Sequence, residues 1–234
     1  PMVVPENAEY LIQTRFPYLS RDQLRDIIRT TADPSGAILD DPWSRINLFA
    51  ASDGYGSFDR DLTVNMDASR AANQLTPGAD YNAADTWRND IGGPGVLTKI
   101  GSGVLTLAGS NSFAGFDLQA GGLTLTGPNR LTGSSSVEGG ILTISGNTLS
   151  VANDLTVTAG TLRLDGGGVE AGRTLRVDGN VDLRGPGEFR IGGAAAGLVN
   201  GTISGASALT KTGSGTLTLA GTNTYSGGTM SAGG

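Results

Sequence analysis

Apolar and polar positions alternate in short triplets along most of this chain. Apolar–polar–apolar recurs as Leu105-Thr-Leu107, Leu123-Thr-Leu125, Leu142-Thr-Ile144, Leu155-Thr-Val157, Leu162-Arg-Leu164, Leu175-Arg-Val177, Val181-Asp-Leu183 and Phe189-Arg-Ile191. Side chains alternate faces along a strand, so the two apolar residues of each triplet point one way and the polar one the other. A strand that short buries its apolar face only by stacking on others like it. The spacing supplies them. Leu105, Leu123, Leu142, Leu162 and Val181 recur every 18 to 20 residues, and Leu155 and Leu175, 20 apart, form a second series between them. A period near twenty with one or two strands per turn and glycine corners predicts a solenoid. Short strands in register fit a parallel β-helix better than a hairpin barrel. The hairpin dipeptides Asp53-Gly54, Asp165-Gly166, Asp178-Gly179 and Asn200-Gly201 do not recur with the strands. A Gly/Ser linker would show no apolar period.

One stretch occurs twice. Gly101-Ser-Gly-Val-Leu-Thr-Leu-Ala-Gly109 returns as Gly213-Ser-Gly-Thr-Leu-Thr-Leu-Ala-Gly221, and residues 95–122 agree with 207–234 at 16 of 28 positions. The alternation places Leu105, Leu107, Leu217 and Leu219 inside the helix, with Thr106 and Thr218 on its surface.

The first 55 residues follow a different period. Ala8, Leu11, Ile12 and Phe16 make one helical stripe after Pro5, and Pro17 ends it. Ser20 and Gln23 have capping-box spacing, with Leu19 and Leu24 placed as a hydrophobic staple and Leu24, Ile27 and Ile28 facing inward. A third helix is expected from Asp41-Pro42, burying Trp43, Ile46, Phe49 and Ala50, with Leu48 further round and Gly54 as its stop. Three such helices make too small a core to stand alone, so residues 1–55 read as the helical tail of an upstream domain. Residues 56–94 read as a junction. Leu62, Val64 and Met66 alternate as a strand, residues 68–86 are a polar loop, and Trp87 caps the solenoid that fills 95–234.

Composition narrows the chemistry. The net charge is −6, with 38 glycines, and Lys99 and Lys211 are the only lysines. That balance argues against nucleic acid or an anionic membrane surface as a partner. No apolar run approaches the ~20 residues of a membrane-spanning helix, so no membrane insertion is expected. There is no cysteine and no histidine, which removes disulfides, thiolate metal sites and much of the acid–base repertoire. No cofactor is implied. The chain opens without a signal-peptide pattern and stops as its second repeat ends, so it reads as a fragment.

Trp87-Arg-Asn-Asp-Ile91, Leu97-Thr-Lys-Ile-Gly-Ser-Gly-Val-Leu-Thr-Leu107 and the stretch from Leu209 to Thr229 resemble the passenger-associated repeat of autotransporters, the self-secreting proteins of Gram-negative bacteria. The resemblance implies a right-handed β-helical stalk, secreted or at the cell surface, whose partner in the full-length protein is its own translocator barrel. Phe116-Asp-Leu118 in the first copy departs from Gly228-Thr-Met230 in the second. Residues 1–60, through Val3-Val-Pro-Glu-Asn7, Thr14-Arg-Phe-Pro-Tyr-Leu-Ser20 and Trp43-Ser-Arg-Ile-Asn-Leu-Phe49, are similar to the end of the acid phosphatase domain of some autotransporters, in the type 2 phosphatidic-acid phosphatase group. That chemistry uses two histidines with Lys and Arg on the phosphate, and Ala37 stands after Pro34-Ser-Gly36 where that family's loop has histidine. Subtilisin-like autotransporters share the junction and repeats, but their Gly-Thr-Ser loop does not occur here.

No catalytic or metal residue is therefore assigned to this chain. Asp40-Asp41 read as a helix cap, and Asp59, Asp61 and Asp67 as strand flanks without calcium-loop spacing. Asp165-Gly-Gly-Gly168 reads as a corner, and Gly92-Gly-Pro-Gly95 lacks the helix of a phosphate cradle. Arg163, Arg176 and Arg190, with Arg184 just after a strand, could line one outer face beside Asp165, Asp178 and Asp182, either as a solvated surface or as a saccharide groove. Three functions follow: a non-catalytic stalk, a secreted phosphatase with its catalytic residues upstream, or an adhesin for a host or matrix ligand. An adhesin would want exposed aromatics, for which Phe113 and Tyr225 are the candidates. Self-association is expected through the C-terminal rung.

Overall fold

In a computed structural model of the chain, residues 6–33, 46–70 and 80–233 are described. Three helices lead into a stack of parallel strands: α1 (Glu6–Arg15), α2 (Arg21–Thr30) and α3 (Leu48–Ser52). β1 (Leu62–Asn65) and β2 (Ala84–Trp87) open the stack. β3 (Val96–Ile100), β4 (Val104–Leu107), β5 (Gly115–Leu118), β6 (Gly122–Leu125) and β7 (Asn129–Leu131) extend it. Then come β8 (Ser135–Val137), β9 (Ile141–Ser145), β10 (Thr148–Val151), β11 (Asp154–Val157), β12 (Thr161–Asp165) and β13 (Gly168–Ala171). β14 (Thr174–Val177), β15 (Asn180–Leu183), β16 (Gly187–Ile191), β17 (Ala196–Val199), β18 (Ile203–Gly205) and β19 (Leu209–Thr212) follow, and β20 (Thr216–Leu219) and β21 (Thr229–Ala232) finish it.

Each turn has three faces, where the sequence predicts one or two strands. The first face holds eight strands in the order β1-β3-β5-β8-β11-β14-β17-β20, the second seven from β2 to β18, and the third six from β7 to β21. The strands pair in parallel, apart from one isolated antiparallel bridge, Ser145 to Gly166. The main leucine series is the inner column of the second face: Leu105, Leu123, Leu142, Leu162, Val181 and Ile203 are in register and fully buried. Leu155 pairs with Leu175 on the first face. The third face has its own column, Leu149-Val169-Phe189, beginning at Asn129. One turn ahead of β7, Asn111 bridges to its first residue, Asn129, and the buried Asn111 amide donates to the Asn129 Oδ1 at 2.9 Å and to the Gly109 carbonyl at 3.0 Å.

The duplicated stretch marks a corner rather than a face. Leu97-Thr-Lys99 lies in β3 on the first face, whereas Leu209-Thr-Lys211 lies in β19 on the third. From β3 to β17 is five steps along the first face, and β19 lies two faces further on. The common element is the bend that follows. Gly101 and Gly213 adopt φ +77° and +78°, open to glycine at little cost. A Cβ on Gly103 would fall 2.2 Å from the Asn82 carbonyl oxygen.

Two of the four leucines differ from expectation. Leu105 and Leu107 are fully buried, but Leu217 and Leu219 are only partly so, since among the described residues no turn stacks on β20. The loop expected over 68–86 ends sooner: β2 begins at Ala84 and pairs with β4. β1 likewise pairs with β3, placing Leu62 opposite Leu97 and Val64 opposite Lys99.

The helices follow their stripes with exceptions. Ala8, Ile12 and Phe16 are buried, but Leu11 is 54% exposed and Glu9 takes an inner place beside Arg25. The Ser20–Gln23 capping box forms in both directions, and Leu19, Leu24, Ile27 and Ile28 are buried. The expected start of the third helix at Asp41-Pro42, and Trp43, lie outside the described residues. The helix begins at Leu48, later than expected and with Ile46 outside it; the Asn47 side chain caps it, and it turns Ala51 inward, leaving Phe49 83% exposed. Asn89 fixes that orientation: its amide donates to the carbonyls of Ala50 and Gly54, both at 2.8 Å.

Candidate functional site

The most densely connected polar cluster sits where the helices meet the first turn. β2 alternates Asp85 and Trp87 inward, so Asp85 occupies the column that continues as Leu105. A carboxylate there must be paired, since burying a lone charge is costly. Arg15, at the end of α1, supplies a fork: its two terminal nitrogens approach the two carboxylate oxygens at 2.7 and 2.8 Å. The Tyr18 hydroxyl donates to Asp85 and accepts from Trp87 Nε1 at 2.9 Å. Arg15 also lies over the Phe16 and Tyr81 rings, 4.5 and 4.4 Å from their centroids, in cation–π contact. Burial opposes the Arg15 charge, but the hydrogen bond and charge of Asp85 outweigh it and raise the guanidinium pKa. Burial and then Asp85 push the Tyr18 hydroxyl well above its ordinary value, so it stays protonated.

Trp87 is fully buried against an aromatic shell. Its ring centroid lies 5.3 Å from Tyr55, 6.3 Å from Phe16 and 6.4 Å from Phe58, and Phe58 in turn meets Phe113 at 4.9 Å. Gly54, at φ +101°, leaves room for it: a Cβ there would come 2.6 Å from the indole Cγ. The helices are tied to the junction from outside as well. Asp26 pairs with Arg29 and Arg60, and Arg29 with Asp59 at 2.7 Å.

The other candidates are dispersed. Asp59 accepts from Ser57 and Arg29, Asp61 from the Val96 amide, and Asp67 from Ser69, so the three carboxylates face different partners. Asp40 and Asp41 lie outside the described residues. Asp165-Gly166 is a corner, with Gly166 at φ +71° bridged to Ser145. Gly93, at φ +100°, packs on the Phe58 carbonyl. The arginines do not share a face: Arg163 is in β12 on the second, Arg176 in β14 on the first and Arg190 in β16 on the third. Each has an acidic neighbour, Asp182, Asp178 and Glu170 respectively. The period of about twenty carries three strands, and triplets read without their face merge three columns into one. Phe113 is fully buried beneath Phe58, and Tyr225 is half-buried with its hydroxyl on Thr229, so neither makes an exposed aromatic row.

The Arg15–Tyr18–Asp85 cluster is absent from the sequence reading, although a signal for it exists. Asp85 stands twenty residues before Leu105, in step with the main series, and a carboxylate at an apolar column position calls for a buried cation. The third face is missed in the same way: Asn129, Leu149, Val169 and Phe189 are spaced by twenty.

Residues 97–123, 118–144 and 209–230 match the Passenger-associated-transport-repeat family. The first and last overlap the two copies read in the sequence; the middle one adds a repeat there. An autotransporter lipoprotein, NalP, of Neisseria meningitidis serogroup B is 30% identical over 222 residues, covering 86% of this chain and 20% of the relative. That share exceeds residues 62–233, so the likeness takes in part of the helical segment. An extracellular serine protease of Serratia marcescens is 32% identical over 133 residues, covering 45% of this chain and 12% of the relative. The chain thus spans a fifth or less of the length of these relatives. With its parallel three-faced stack, the chain is a β-solenoid that carries passenger-associated transport repeats and is similar to part of an autotransporter.

Proposed function

We propose that this chain is a non-catalytic stalk, secreted or held at the surface of a Gram-negative bacterium. It displays a domain joined ahead of its helices, and its folding outside the outer membrane supports secretion of the whole. The observation that carries this reading is the in-register column from Leu105 to Ile203, whose side chains are fully buried. A body packed that way is a rod whose interior is occupied by its own side chains. Trp87 and the helices close its first turn, and a translocator barrel in the full-length protein is its partner. The relatives' names speak of a serine protease and an autotransporter lipoprotein. An acid phosphatase parent rests only on the likeness of residues 1–60.

Two measurements test the proposal. Purified chain should hydrolyse an aryl phosphate or a peptide no faster than a buffer blank, and turnover above that blank would overturn the non-catalytic reading. In the full-length protein, Leu142→Asp breaks the inner column and should abolish surface display while the barrel still reaches the outer membrane. Undiminished display of that variant would overturn the role in secretion.

A further inference from the structure

The only two lysines of the chain are both turned inward. Lys99 stands in a column between Val64 and Leu118 and is fully buried. Its Nζ donates to the carbonyls of Ile100 at 2.9 Å, Gly101 at 3.1 Å and Ala120 at 3.5 Å. Lys211, opposite Phe189 on another face, repeats the arrangement, donating to the Gly213 carbonyl and to that of Gly233 at 3.2 Å. Each ammonium therefore joins its own Gly-Ser-Gly corner to the chain one turn later. Neither lysine has an ion-pair partner among the described residues. An apolar side chain of similar length would fill the column without the desolvation cost of a charge, so packing does not explain the choice.

Register does. Leu105-Thr-Leu107, Leu123-Thr-Leu125 and Leu142-Thr-Ile144 are nearly interchangeable, and a strand shifted by one whole turn would still bury the same kind of face. Hydrophobic pattern specifies the face here but not the turn. An ammonium is less tolerant, because its donors are satisfied only where corner carbonyls converge inside the stack. We infer that Lys99 and Lys211 are register pins, which fix the turn on which each Gly-Ser-Gly corner closes. The logic is that of a polar residue in a coiled-coil seam, which gives up stability to select one alignment. A lysine suits the place as a compact point charge with three donors, where the planar guanidinium fork of arginine fits poorly.

The absence of cysteine makes the test direct. Thr106 and Thr124 are paired outward-facing neighbours on β4 and β6, so a Thr106→Cys/Thr124→Cys pair reports the native register. Thr106 and Thr143 lie two strand spacings apart, roughly 10 Å, beyond disulfide reach. Chains refolded from denaturant under oxidising conditions should close the first pair and leave Thr106→Cys/Thr143→Cys open. Adding Lys99→Met should leave the denaturation midpoint unchanged or raised, yet increase the 106–143 disulfide several-fold. Overturning results are a lowered midpoint with that pair still open, a chain that no longer refolds, or no change in either reading. Lys211→Met, in a half-exposed turn, gives the second variant. It should reduce the Thr210→Cys/Met230→Cys disulfide, which reports β19 against β21, with the far-ultraviolet β signal unchanged. An undiminished yield there refutes the pin at that corner.

Discussion

At the scale of single residues, position in the stack outweighs residue type. Leu105 and Leu107 take the places in the first copy of the duplicated stretch that Leu217 and Leu219 take in the second, yet the first two are fully buried and the second two half-buried. Leu105→Ala should therefore cost ~2–5 kcal/mol, the usual range for an enclosed leucine. Leu219→Ala should cost clearly less, since less area leaves water when it packs. Thr106→Ser should stay within about 0.5 kcal/mol, as surface changes do. A urea titration in which the two leucines lose equally would contradict this gradient. Lys99 makes a second prediction. Burial lowers its pKa from 10.5 to about 8. Between those values the unfolded chain keeps the proton and the folded chain does not, so stability rises with pH through that interval. The wild type should gain on Lys99→Met as pH is raised from 8 towards 10. A difference between them that stays flat with pH would show that the buried amine keeps the ordinary lysine pKa and that burial does not oppose its charge.

At the scale of elements, the strands are the most legible part of the sequence, because each triplet states its own face. What a triplet does not state is which of three columns it joins, and so Phe189-Arg-Ile191 passes as one more strand, with Leu149 and Val169 unread, rather than as part of a third wall. The helical cap is legible where local chemistry decides, as at the Ser20–Gln23 box. It is not legible where tertiary contact decides: Asn89 holds the end of α3, and Phe49 turns out to solvent. The cap cluster belongs to the second kind, since Arg15 and Asp85 are seventy residues apart. Asp85→Leu should strand the Arg15 guanidinium and cost ~3–5 kcal/mol, as broken buried pairs do. Arg15→Met with Asp85→Leu should recover most of that loss, because no lone charge remains. If single and double variants lose stability equally in denaturant, the two side chains are not coupled and the cap docks by its aromatics alone.

At the scale of the whole molecule, the two ends of the rod differ. The first turn is covered: Phe16, Tyr55, Phe58 and Trp87 are buried together under the helices. The last is not, for Leu217 and Leu219 are half-buried and Met230 is 63% exposed. β20 and β21 each pair with one preceding neighbour, β17 and β19, and leave their other edges open. An open strand edge beside apolar side chains is a template for another chain, so residues 1–234, purified by themselves, are expected to self-associate through residues 217 to 230. Thr218 is exposed on β20, and Thr218→Lys places a charge at that edge without removing a core leucine. Light scattering should then show less oligomer at an unchanged far-ultraviolet β signal. The helical end offers a competing patch, with Phe49, Tyr10 and Leu11 exposed. If Phe49→Ser dissolves the oligomer and Thr218→Lys does not, or if the wild-type chain stays monomeric at high concentration, the open turn is not the adhesive end. The expected order is the reverse, because strand edges present backbone donors and acceptors as well as apolar surface, whereas the donors and acceptors in the middle of a helix already bond to one another.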